Sequence, residues 1–414
     1  MGKRFILSLW LLCATQLVAC SSAGTSIGPA LGAAASPAAQ AVGAAATPSP
    51  KAALIPAPKA TGTPSAAPTA TPTGIETCLP GSNPTTMPIV RNPVALPTYK
   101  VDPAKVFVAG VSSGGFFGVQ MDVAHSAKFK GAAIYAGGVY YCPGQGQSAA
   151  ALADCGGETN VNCQALYESE LSASETYLDE QSAAGTIDPE NNLKGQLVYL
   201  WSGTKDQVVN PKSMADLASE YEHYGAKVAT DFAFPSNHGW ESPNGDVPCP
   251  TATEPYMIKC TLNGKVYDSE AKWLTRFFGT LEPRNDGVLR GSLINFDQTP
   301  FGAAASNSMD TNGWLFVPQA CRTSNTCGFV LALHGCIQNQ AIIGNDFVTK
   351  SGIDQWADTN NFIVMYPYAV ESDDPVNPMG CWDWWGYDDA NYALKSGTQI
   401  SIVYKMVQHV TGLK

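Results

Sequence analysis

The run Gly110-Val111-Ser112-Ser113-Gly114 sets one serine hydroxyl in a glycine-flanked turn, directly after the apolar segment VFVAG at 106–110. A sharp turn from strand into helix pushes such a hydroxyl forward, and only residues without a β-carbon tolerate the crowding on either side of it. The chemistry this permits is attack by Ser112 on a carbonyl carbon. A serine hydroxyl is a weak nucleophile at neutral pH. A base must take its proton, and an acid must hold that base in one tautomer.

Five histidines are available as the base. His125, His223 and His409 fall in stretches of helical spacing, where a surface or half-buried side chain is the ordinary expectation, and His334 closes a strand just before Gly335. His238 remains, in the loop Pro235-Ser236-Asn237-His238-Gly239 after the strand-like run KVATDFAF. The acid that fits is Asp206, in LVYLWSGTKDQVVNP beyond an earlier strand; Asp231 lies inside the preceding strand and Asp246 past the histidine. The resulting chain order, serine then aspartate then histidine, is that of α/β-hydrolases.

Acyl transfer also needs N–H donors aimed at the developing oxyanion. One is expected from the backbone of Ser113, next to the nucleophile. The second ordinarily comes from a His-Gly loop upstream of the serine. Here the matching piece, FVLALHGCIQ at 329–338, lies far downstream, with the backbone N–H of Cys336 as the expected donor. That displacement implies a circular permutation, the chain start having moved to just before the nucleophile strand.

The elements that position these groups alternate. Strand-like runs at 106–110, 131–137, 196–203, 227–234, 313–318, 329–335 and 362–367 are separated by helical spacing near 115–127, 211–224, 268–278, 346–358 and 398–411. This predicts an α/β fold with a mostly parallel sheet and helices on both faces. The segment 138–195 reads either as a cap over the sheet or as a long disulfide-tied loop.

Composition bounds the rest. The chain has 414 residues, a net charge of −11 and only 14% charged residues, with no basic cluster beyond the N-terminus to neutralise phosphates, so nucleic acid is not an expected partner. Lys3-Arg4, a short apolar run and Leu17-Val18-Ala19-Cys20 read as an export signal over 1–19 whose end resembles a bacterial lipobox, with Cys20 as the lipid-anchor residue. A plain secretory signal cut near Ala19 is the competing reading. Residues 20–75 are an Ala/Pro/Thr/Ser-rich tether with too little apolar area to offset ordering, of span roughly 40 Å as a flexible chain, and 76–414 form a single catalytic domain. Ten cysteines remain after Cys13 and Cys20, which favours disulfides in an exported chain. Cys249/Cys260 and Cys321/Cys327 could close short loops and Cys336/Cys381 is a third pair, leaving Cys78, Cys142, Cys155 and Cys163 open among three connectivities.

With these residues in view, 93–414 resembles the circularly permuted, single-domain extracellular poly(3-hydroxybutyrate) depolymerases, through VFVAGVSSGGFFGVQ, YAGGVYYC, LVYLWSGTKDQVV, GWLFVPQAC, LALHGCIQ, WADTNNFIVMYP and GCWDWWGY. The resemblance implies Ser112 as nucleophile, Asp206 and His238 as its partners, and Ser113 and Cys336 as oxyanion donors. It implies that Trp384 lines the groove that receives the polymer, which suits a substrate with little charge to recognise. A polyester or oligoester substrate, a membrane tie through Cys20, a monomeric state, and neither metal nor organic cofactor complete the expectation. Two other readings stand beside it: a feruloyl, acetyl or other polyester esterase with the same catalytic residues, and a non-catalytic surface lipoprotein.

Overall fold

In β2, Val101–Val111, Val106 and Val108 pack into one apolar cluster while Phe107, Ala109 and Val111 pack into another. Successive strand side chains face opposite ways, so β2 is buried on both faces. The computed structural model describes residues 87–142, 164–323 and 325–413. The expectations placed on the export signal, Cys20, the tether and Cys78, and those on Cys155 and Cys163, lie outside the described residues.

The main sheet also contains β1 (Ile89–Val94), β3 (Gly131–Tyr135), β4 (Leu197–Trp201), β5 (Lys227–Asp231), β11 (Ser292–Asp297), β12 (Asn312–Val317), β13 (Cys327–Leu333) and β14 (Phe362–Tyr366). Their order is β1-β11-β12-β14-β13-β2-β3-β4-β5. The run from β14 to β5 is parallel, and β12 runs against both of its neighbours. β3, β13 and β14 are buried along their whole length, as both-face burial in a parallel sheet requires. At the rim, β1 is largely exposed and carries Pro93 and Arg91, which discourage pairing with another chain.

Helices cover both faces. α1 (Ser113–Ala124), α3 (Pro211–His223) and α8 (Thr398–Thr411) pack into the cluster of Val106, through Phe117, Leu217 and Val403 among others. α4 (Ser269–Phe278), the short α6 (Asp346–Lys350) and α7 (Ile353–Asn360) pack into the cluster of Phe107, through Trp273, Phe347 and Ile353. The start of α3 is written in its sequence: Asn210 accepts from the Lys212 N–H and Pro211 occupies the first turn. α2 (Gln164–Ala184) and the short α5 (Gln340–Ile343) complete the described helices.

Between β5 and α4, three short strands β6 (Trp240–Glu241), β7 (Val247–Pro248) and β8 (Met257–Lys259) form a small parallel sheet, and β9 (Thr261–Leu262) pairs with β10 (Lys265–Val266). The predicted disulfides Cys249–Cys260, Cys321–Cys327 and Cys336–Cys381 are formed, and Cys142 is disulfide-bonded as well.

All seven strand-like runs are strands. The single helix expected over 346–358 is two, because Gly352 breaks it in a left-handed conformation (φ 79°), where an added Cβ would lie 2.7 Å from Ser242 Oγ. β1 and β11 were not foreseen; polar residues interrupt both runs. Part of 138–195 is the helix α2, so that part of the segment is not a loop.

Candidate active site

Ser112 sits between β2 and α1 with φ 57° and ψ −125°, a conformation that costs a non-glycine residue about 1–3 kcal/mol. The surroundings enforce it. The Ser112 N–H donates to Tyr135 O at the end of β3 (2.9 Å), and its carbonyl accepts from Gly115 and Phe116 N–H in the first turn of α1. The flanking glycines are required for close approach: a Cβ at Gly110 would lie 2.0 Å from Gly114 O, and one at Gly114 would lie 2.3 Å from His334 O.

His238 and Asp206 meet each other. Asp206 Oδ2 lies 2.9 Å from His238 Nδ1, and both side chains are buried. The other carboxylate oxygen accepts from the N–H groups of Val208 and Val209, each at 2.9 Å, so the loop after β4 aims the carboxylate. An ionised carboxylate only accepts, which puts the hydrogen on Nδ1 and leaves Nε2 with a lone pair to take a proton. The loop bearing His238 is tied to the loop bearing Asp206: Asn237 Oδ1 accepts from Gln207 N–H, and Ser236 O accepts from Lys205 N–H.

The loop after β13 lies against Ser112, because a Cβ at Gly335 would come within 3.0 Å of the Ser112 Cβ. β13 pairs directly with β2, Leu333 opposite Gly110, which brings a segment more than two hundred residues downstream beside the serine. Ser113 opens α1, where a backbone N–H has no carbonyl one turn earlier to bond. His334 is fully buried and burial pushes its pKa down to about 4, so it is neutral. It accepts from Ala369 N–H through Nε2 (3.1 Å) and therefore donates through Nδ1 to Gly335 O (2.7 Å). It is a brace for the loop rather than a base.

A polyhydroxybutyrate depolymerase of Talaromyces funiculosus is 32% identical over 337 residues, covering 76% of this chain and 92% of that one. The chain belongs to the polyhydroxybutyrate depolymerase family. A poly(3-hydroxybutyrate) depolymerase of Delftia acidovorans is 36% identical over 325 residues, or 77% of this chain, which spans 62% of that longer relative. Two solved structures match with a TM-score of 0.66 at 30% identity, covering 77% of this chain and 99% of theirs. They are the depolymerase of Penicillium funiculosum and a serine-to-alanine PHB depolymerase complexed with an R3HB trimer. No family model matches the sequence. The architecture is of the α/β-hydrolase type that these depolymerases share.

Trp384 of this depolymerase-family chain is buried, 3% exposed, with its ring stacked on Phe116 of α1 at 4.1 Å. Ala136 and Val209 complete its cluster, and the half-buried Val208 and Trp385 pack against it. The loop that carries it is organised by Asp383, whose carboxylate accepts from the N–H groups of Gly386, Tyr387, Asp388 and Asp389. Cys381, two residues before, is joined to Cys336, so the tryptophan loop and the expected oxyanion donor share a disulfide.

Two residues beside the site carry no role in the sequence reading. Asp383 is one; an aspartate before Trp-Trp-Gly signals a side chain folding back on its own turn. Gln338 is the other. Its position three residues after Gly335 was the available signal, since that spacing lets an amide close a turn.

Proposed function

We propose that the protein is an exported serine esterase that hydrolyses ester bonds of poly(3-hydroxybutyrate) or its oligomers. The observation that carries this is the 2.9 Å contact of His238 Nδ1 with Asp206, in a chain of this family whose elbow serine abuts the Gly335 loop. Ser112 Oγ attacks the ester carbonyl carbon while its proton passes to His238 Nε2. The developing oxyanion is received by the N–H groups of Ser113 and Cys336, each such donor being worth about 10²–10³ in rate. As the C–O bond breaks, His238 returns the proton to the leaving alkoxide, and the acyl group remains on Ser112. Water, deprotonated by the same nitrogen, then attacks the acyl carbon; the bond to Ser112 Oγ breaks, His238 returns the proton to Oγ, and the hydroxy acid is released. Asp206 stays ionised and steadies the imidazolium.

We assign the strand order to a circular permutation, since the half of the sheet built from β11 to β14 stands where earlier strands ordinarily would. In support, the segment before β2 lies on the C-terminal helix: Tyr99 N–H donates to Val410 O at 2.8 Å, and His409 Nε2 bonds Leu96 O at 2.7 Å. The domain division after residue 75, a monomeric state and lipid attachment at Cys20 belong to the same proposal; fatty-acid labelling of wild type and Cys20→Ser decides between anchor and plain secretion.

The test is product analysis on poly(3-hydroxybutyrate) granules with wild type and Ser112→Ala in parallel. Wild type releases hydroxybutyrate or short oligomers and the variant loses activity by about a millionfold. Unchanged hydrolysis in Ser112→Ala would remove the serine mechanism. Release of ferulate or acetate with intact granules would move the substrate to the related esterases.

A further inference from the structure

Gln338 is buried beside the site, and its amide is used from both ends. Oε1 accepts the Gly335 N–H at 2.7 Å, and Nε2 donates to Pro255 O at 2.8 Å, with Met257 Sδ 3.5 Å away. The two ends reach different parts of the chemistry. Gly335 precedes Cys336, and the Gly335 carbonyl is already held by His334 Nδ1. In a trans peptide the carbonyl and the following N–H point opposite ways, so a carbonyl fixed on His334 sends the Cys336 N–H in the other direction. Gln338 fixes the peptide before it, which leaves the loop no freedom to rotate that N–H.

At its other end Pro255 leads into Tyr256. The Tyr256 carbonyl accepts the Trp240 N–H at 2.9 Å, two residues after His238, and the Tyr256 ring stands edge-on to the His238 ring at 6.2 Å. We propose that Gln338 is a positioning residue that holds the oxyanion donor of Cys336 and the loop of His238 at one fixed separation around Ser112. The proposal rests on the assignment of Ser112, His238 and Cys336 above. Only a side chain with an acceptor at one end and a donor at the other meets both backbone groups.

Gln338→Met and Gln338→Glu separate this from a packing role. Methionine fills the space without either bond, and its kcat on a short p-nitrophenyl ester and on a hydroxybutyrate trimer falls about 10- to 100-fold with KM little changed. Glutamate accepts from Gly335 N–H with one oxygen but meets Pro255 O with the other only when protonated. Its kcat relative to wild type therefore approaches one on the acid side and falls as the introduced carboxyl ionises, between about pH 5 and pH 8. Folded sites are counted in each sample by stoichiometric labelling with a serine-directed phosphonate. Wild-type kcat per labelled site in either variant, at every pH, would overturn the proposal. A wild type left unlabelled and a fully active Ser112→Ala would instead remove the serine assignment, and this inference with it.

Discussion

His238 and His334 are both buried, yet their partners give them different work. His238 faces a carboxylate through Nδ1, and in the proposed mechanism Nε2 takes the proton of Ser112. His334 has a backbone partner on each nitrogen and a pKa of about 4, so its Nε2 lone pair is engaged and it takes up no proton at neutral pH. Reading types and spacing singled out the first and set aside the second, because a loop after a strand and a His-Gly strand end are separable in sequence. What sequence could not weigh is depth. Trp384 is a groove residue by resemblance, while its ring lies 4.1 Å from Phe116 and is almost wholly enclosed. Trp384→Phe keeps an aromatic partner for Phe116 and removes part of the indole face. If the ring receives polymer, KM for a hydroxybutyrate trimer rises about 3- to 10-fold while kcat on a short ester stays within about twofold. An equal fall on both substrates would assign the ring to packing.

Among the elements, those that position the site were the most legible. β2, β3, β4, β13 and β14 are short apolar runs with turn residues at both ends, and burial on both faces is what makes them read so plainly. β1 is missed for the same physical reason in reverse, since a rim strand carries polar residues and Pro93; β11 is paired on both sides and buried, but Ser292 and Asn295 interrupt its apolar run. The order of the strands has its own consequence. If the chain is a permutation, the covalent break before β2 is arbitrary, because Leu96 and Tyr99 are already bonded to His409 and Val410. A chain joined from Leu413 to Leu96 by a short linker and opened between the exposed Gly287 and Val288 loses the rim strand β1 and everything before it, including Met87 and Pro88, which meet the Phe107 cluster and Leu293 N–H. It should fold, melt lower than the parent and hydrolyse short esters at a rate within about tenfold. An insoluble or inactive product would mean that the present connection from α4 to β11 is needed to form the sheet.

Among the described residues, carboxyl groups are buried without a direct salt bridge in several separate places. Asp122 holds the Tyr221 hydroxyl, Glu220 accepts from Tyr140 N–H and the Ser174 hydroxyl, and Asp354 accepts from the Tyr366 hydroxyl. Burial pushes these carboxyls up to about 7, 8 and 8, and raises Glu241 and Asp383 to about 7 despite their backbone donors. In the unfolded chain a carboxyl loses its proton near pH 4 and an imidazole near about 6.5. Raised folded-state values mean that the folded chain holds protons the unfolded chain has released, so stability falls as pH rises until those values are passed. His125 and His334, pushed down to about 3 and 4 by burial, act the other way, but only below about pH 6.5, where the unfolded chain binds their protons. Above that these two imidazoles no longer act, and the raised carboxyls remain. The melting temperature should therefore drop between about pH 6.5 and pH 8.5, and Glu220→Gln, which is neutral throughout and keeps an acceptor for Tyr140 N–H, should make that drop shallower. Melting curves of both proteins across this window test it. A melting temperature that stays flat with pH there would show that these carboxyls are ionised in the folded protein.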